Sequence, residues 1–149
     1  MKMEKIDPRP FWIRWGSRDW AFFLLEFFLG LRFLTAGLGK FQGPEGLSFH
    51  HFYSDVLPHL TQPFLDKTFL PGWGVKLFLG SLPYTEILLG AGILVAGKNR
   101  WPLVLAGILY ITLAFGQMLL GAHSVVADIA IHLALVVAAL ALAGEVRPS

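Results

Sequence analysis

Residues 20–40 read WAFFLLEFFLGLRFLTAGLGK, and this run decides the fold. It is long enough to cross a bilayer, which takes about 20 mostly apolar residues. It also carries Glu26 and Arg32. A charge at the centre of the hydrocarbon costs roughly 2.5–3.5 kcal/mol on insertion scales, so both side chains must face protein or water. Steps of four, three, four and three place Glu26, Gly30, Phe33, Gly37 and Lys40 on one helix face. Its glycines allow a second helix to come close, which is how helices associate where lipid supplies no hydrophobic drive between them. Arg32 lies about 240° round the helix from Glu26, so its counter-ion is expected from another helix.

Three further apolar runs follow, at 76–97, 101–120 and 125–143. The expectation is an all-α integral membrane protein, a single domain over 1–149. It is a bundle of four transmembrane helices with a long external loop at 41–75 that carries short interfacial helices. Pro44, Pro58, Pro63 and Pro71 break that loop into pieces, and its many aliphatic and aromatic residues give it too much apolar surface for a solvated linker. The composition agrees, with 55% hydrophobic and 15% charged residues against about 25% charged in ordinary soluble domains.

Residues 1–19 hold Lys2, Lys5, Arg9, Arg14 and Arg18 among Phe11, Trp12 and Trp15, a mixture suited to a membrane surface. Basic residues also follow the second run (Lys98, Arg100) and the fourth (Arg147), whereas the long loop and its junctions have Lys40, Lys67 and Lys76. The bias places both termini in the cytoplasm and argues for membrane orientation rather than nucleic-acid binding. A cleaved signal peptide is not expected, because the first run is too long and charged and lacks a small-residue exit. The chain has no cysteine, which excludes disulfides, thiolate-ligated iron–sulfur clusters and covalent c-type haem supplied by this chain.

The spacing Glu26, Gly30, Gly37, Lys40 with the run GLRFLTAGLGKF resembles the first helix of the DoxX family, in particular the branch like the membrane subunit of thiosulfate:quinone oxidoreductase. The resemblance resumes at LPYTEILLGAGILVAG and GQMLLGAHSVVADIAIHL, so it spans the four apolar segments but not the long first loop. That family usually has arginine where this chain has Glu26, so no arginine-specific role is carried to that position. The resemblance implies a bacterial or archaeal cytoplasmic membrane and electron transfer from thiosulfate or a related sulfur compound to quinone. Partner subunits would supply what this chain lacks.

At about 1.5 Å per residue, Arg32, Glu86 and His132 come out near the bilayer midplane, with Gln117 and Asp128 a turn or two further out. Such a polar track, with Glu26 as a further candidate, could hold a quinone head group through His132 or Arg32 and pass protons through Glu86 and Asp128. It could equally be an ion-pair network that fixes helix register. The depths pair Arg32 with Glu86, with His132 or Asp128 as secondary partner. Pro83 is expected to kink the second membrane helix beside Glu86. Gly90 and Gly97 repeat Gly30 and Gly37, as Glu86 repeats Glu26, at a constant offset of 60. That echo fits an inverted repeat or coincidence between two glycine-bearing helices. His50, His51, His59 and His123 are metal-ligand types without a ligand motif, so no metal site is expected. The functional alternatives are a quinone-linked redox subunit, a non-catalytic subunit anchoring a respiratory or photosynthetic assembly, with haem on His123 or His132, and a small transporter using the track.

Overall fold

The computed structural model describes residues 8–97 and 99–145; the basic residues Lys2, Lys5, Lys98 and Arg147 lie outside them. A short helix α1 (Phe11–Arg14) precedes α2 (Ser17–Gly39). The loop then forms a small hairpin, β1 (Gln42–Gly43) with β2 (Gly46–Leu47), followed by α3 (Phe49–His51), a π-helical turn (Phe52–Val56) and α4 (Leu57–Lys67). Helices α5 (Gly72–Ala96), α6 (Trp101–Leu119) and α7 (His123–Glu145) complete the chain. Four helices, α2, α5, α6 and α7, are long and apolar enough to cross a membrane. The protein is an all-α, four-helix integral membrane protein.

The helix ends follow local chemistry and differ by a few residues from the apolar runs. Helix α2 begins at Ser17, ahead of Trp20, because Asp19 in its first turn accepts the Gly16 N–H at 2.9 Å. A carboxylate there also complements the positive end of the helix. Helix α5 begins at Gly72 behind Pro71 rather than at 76, and runs through Pro83 to Ala96. Gly97 ends α5 with φ of 53°, and a Cβ placed on it would meet nothing within 4 Å. Gly97 is therefore a helix terminator, where a positive φ favours glycine, and not the packing residue that the echo suggested.

The four long helices close a ring in which α2 packs on α5 and α7, and α6 packs on α7 and α5. The α2/α5 seam is the tightest. A Cβ on Gly90 would stand 2.7 Å from the Leu34 nitrogen and 2.8 Å from the Gly30 carbonyl oxygen, and one on Gly37 would stand 2.7 Å from the Pro83 carbonyl oxygen. These distances leave no room for a side chain, so backbone lies against backbone. Leu29, Phe33, Ile93, Leu103 and Val136 fill the centre. Large apolar side chains such as Leu24, Leu88, Ile111 and Met118 face outward, as a lipid environment requires.

The loop end of the bundle is covered by the hairpin, α3 and α4. Phe41 and Phe52 are buried, with ring centroids 5.2 Å apart, and Phe41 also meets Tyr84 of α5 at 5.4 Å. The Tyr53 and Tyr84 hydroxyls are 2.9 Å apart and share a hydrogen bond, which ties the π-helical turn to α5. The short helices expected in this loop are present.

If the α2/α5 seam governs stability, Gly90→Val should lower the thermal midpoint in detergent sharply, since overpacking a filled site costs about 1–3 kcal/mol or more. Gly39→Ala, whose Cβ would meet nothing within 4 Å, should be neutral or stabilising by up to about 1 kcal/mol. Circular dichroism melts of both variants in one detergent provide the check.

Candidate functional site

A polar cavity of about 240 Å³ lies between α2, α5, α6 and α7, toward the loop end. Arg32 and Lys40 bring positive charge from α2 and its C-terminal cap, Glu86 from α5 and Asp128 from α7 bring carboxylates, and Tyr110 and His132 add a hydroxyl and an imidazole. The cavity thus collects two cations and two anions within the membrane-spanning part of the chain.

Lys40 and Glu86 form the central contact. The Lys40 Nζ donates to Glu86 Oε2 at 2.5 Å and to the Ala36 carbonyl at 3.3 Å. The Glu86 side chain is 6% exposed and that of Lys40 21%, so the pair is shielded from lipid. A buried carboxylate without a cation would be costly. The α2/α5 seam sets this pairing: Lys40 shares a face with Gly30 and Gly37, that face packs against α5, and the long lysine side chain then extends back along the helix to Glu86.

Arg32, expected as the partner of Glu86, does not pair with it. It lies close enough for their charges to interact across the cavity, yet Arg32 is exposed and makes no ion pair among the described residues. Azimuth decides: Arg32 lies off the glycine face and lines the cavity with Asp128 and His132 of α7. Lys40 and Tyr110 were both missed as site residues. Lys40 was detectable, because its position on the glycine face requires it to face α5.

His132 is held by its own helix. Its Nδ1 lies 2.8 Å from the Asp128 carbonyl oxygen, a contact that requires the proton on Nδ1. In the neutral ring Nε2 is then a hydrogen-bond acceptor, and in the charged ring a donor. The imidazole also lies between two rings, 6.5 Å from Phe28 and 5.7 Å from Tyr110. Tyr110 in turn meets Phe33 at 4.9 Å, so the floor of the cavity is aromatic.

Of the residues singled out in the sequence, Arg32, Glu86, Asp128 and His132 meet in this cavity. Glu26 is half-buried on α2 outside the cavity lining. Gln117 lines a separate apolar cavity between α4, α5 and α6. Gly30, Gly37 and Gly90 pack as expected from helix association. No group of three or more His, Cys, Asp and Glu side chains suited to a metal forms among the described residues, so His50, His51, His59 and His123 do not assemble. His51 instead bonds Asp55 at 3.1 Å. The Ser54 hydroxyl donates to the Asp55 carboxylate at 2.8 Å, and with His51 it holds that carboxyl below its usual range.

No protein-family profile matches the chain, no curated protein matches it and no solved structure matches it.

The geometry separates the two cations. Lys40→Met should destabilise the protein by about 3 kcal/mol, because it strands a buried carboxylate. Arg32→Leu should leave the thermal midpoint nearly unchanged. Unfolding in a single detergent reads both, and equal losses would show that the two charges share Glu86.

Proposed function

We propose that the chain is a membrane subunit of a quinone-linked redox complex, and that the Arg32, Lys40, Glu86, Tyr110, Asp128 and His132 cavity takes the quinone head group. The observation that carries this reading is the gathering of donors, acceptors and proton carriers inside an otherwise apolar bundle, where ionisable groups are expensive to keep. The DoxX-like runs, which touch all four membrane helices, support it, and on that resemblance the electrons originate from a reduced sulfur compound.

Quinone reduction takes two electrons and two protons. The electrons come from a partner subunit, since this chain has no cysteine for a cluster. The protein's own contribution is binding and proton supply. The Arg32 guanidinium is a donor for a quinone carbonyl, and with Lys40 it favours the negative charge that builds on the ring as it is reduced. His132 in its charged form donates from Nε2, and after giving up that proton accepts from the quinol hydroxyl. Asp128 and Glu86 lie in the same cavity and can return protons to it.

One observation favours a purely structural role: the Lys40–Glu86 pair is mutually satisfied and would fix helix register on its own. It accounts for two of the polar side chains and leaves the charged groups of Arg32 and Asp128 without an ion pair among the described residues.

Reconstituted with its partners, the complex should reduce a soluble quinone analogue, and His132→Leu should slow that reaction by at least about 100-fold, the lower range for a lost acid–base group. Full activity in a normally assembled variant would remove His132 from the site. The orientation proposed with this function puts both termini in the cytoplasm. A cysteine at Ser54 should then react with an impermeant thiol reagent from outside, and one at Asn99 should not. The opposite labelling pattern would invert the topology.

A further inference from the structure

A second cavity, of about 350 Å³, lies at the seam of α5 and α6 under α4. Phe64, Phe78, Leu79, Leu113 and Phe115 form much of its wall. Its polar side chains are Thr112 and Gln117, and the Thr112 hydroxyl already donates to the Ile108 carbonyl at 2.9 Å. The space therefore presents hydrocarbon to whatever enters, and its size is within the roughly 300–1,000 Å³ of small-molecule sites. Leu113 lines this cavity and also the polar one. A single leucine side chain is thus common to a polar chamber and an apolar chamber.

We propose that the two cavities form one site for an amphiphile, whose polar head occupies the Arg32–Glu86 chamber and whose hydrocarbon chain passes Leu113 into the chamber of Phe64, Phe78 and Phe115. The identity of the head rests on the quinone reading above; the path of the chain does not. A chain already dissolved in lipid gains no hydrophobic free energy on entering protein, because lipid tails are equally apolar. The apolar chamber supplies close contact and a fixed direction instead, which holds the head against its donors.

Glycine provides the means of blocking it. A Cβ on Gly74, which lines the apolar chamber, would meet the Pro71 ring at 3.5 Å, an ordinary contact. Gly74→Leu should therefore fill the chamber without disturbing the seam that holds the head site. Thr112→Phe fills it from the α6 side and serves if the first variant does not fold.

The test uses a quinone with a photoreactive diazirine at the end of a ten-carbon chain, bound to the purified protein in detergent, with crosslinks mapped by mass spectrometry. Crosslinks should fall at 64–79 and 112–117, and Gly74→Leu or Thr112→Phe should abolish most of them. Crosslinks confined to other helices, or unchanged in both variants, would overturn the chain path. Excess tail-less benzoquinone should compete. If it does not, while a diazirine fatty alcohol labels the same residues, the chain site stands and the quinone reading falls.

Discussion

The absence of side chains at Gly30, Gly37 and Gly90 is the constraint on which the structure depends. Lipid does not push helices together, so α2 and α5 are held by backbone contact and by dispersion along their whole seam. Because they run antiparallel with Gly30 against Gly90, the register is fixed. The end of α2 is thereby set opposite the middle of α5, and Lys40 meets Glu86. A bulkier residue at the seam would separate the helices and leave a carboxylate in a low-dielectric interior without its cation, which is a severe penalty. Packing and electrostatics are thus one event in this fold.

That pairing leaves a surplus. With Lys40 committed to Glu86, the remaining charges Arg32 and Asp128 line the cavity without an ion pair among the described residues. A bundle built only for stability has no need of them, since apolar side chains of similar size would cost less. Their retention beside Tyr110 and His132, next to an apolar chamber at the α5/α6 seam, is what a ligand with a polar head and a hydrocarbon chain would use. Leu113 borders both spaces.

The sequence reveals the bundle plainly, because four long apolar runs leave few alternatives, and the prolines and apolar residues of 41–75 announce a folded loop. It locates Arg32, Glu86, Asp128 and His132 at compatible depths, and they do meet. Glu26 lies outside the cavity lining, and Gln117 and Gly97 are also misplaced. Gln117 sits on the side of α6 that faces α4, a matter of azimuth that depth along the helix does not report. Gly97 matches Gly37 in sequence yet falls past the end of its helix, so the offset-60 echo survives in space around Gly30 and Gly90, where Leu94 and Leu34 close on the two glycines. The Arg32–Glu86 pairing fails for a related reason: Cα height ignores the length of a lysine side chain, which reaches back along α2 to a partner nearer the midplane.

Exchanging the two charges tests the central claim most directly. Lys40→Glu and Glu86→Lys should each prevent stable folding in detergent, since each places two like charges in one shielded contact. The double exchange should recover most of the wild-type thermal midpoint, because the seam that aligns the two positions is untouched. A double variant no more stable than either single one would show that Lys40 and Glu86 do not depend on each other, and that the α2/α5 seam does not set the polar cavity.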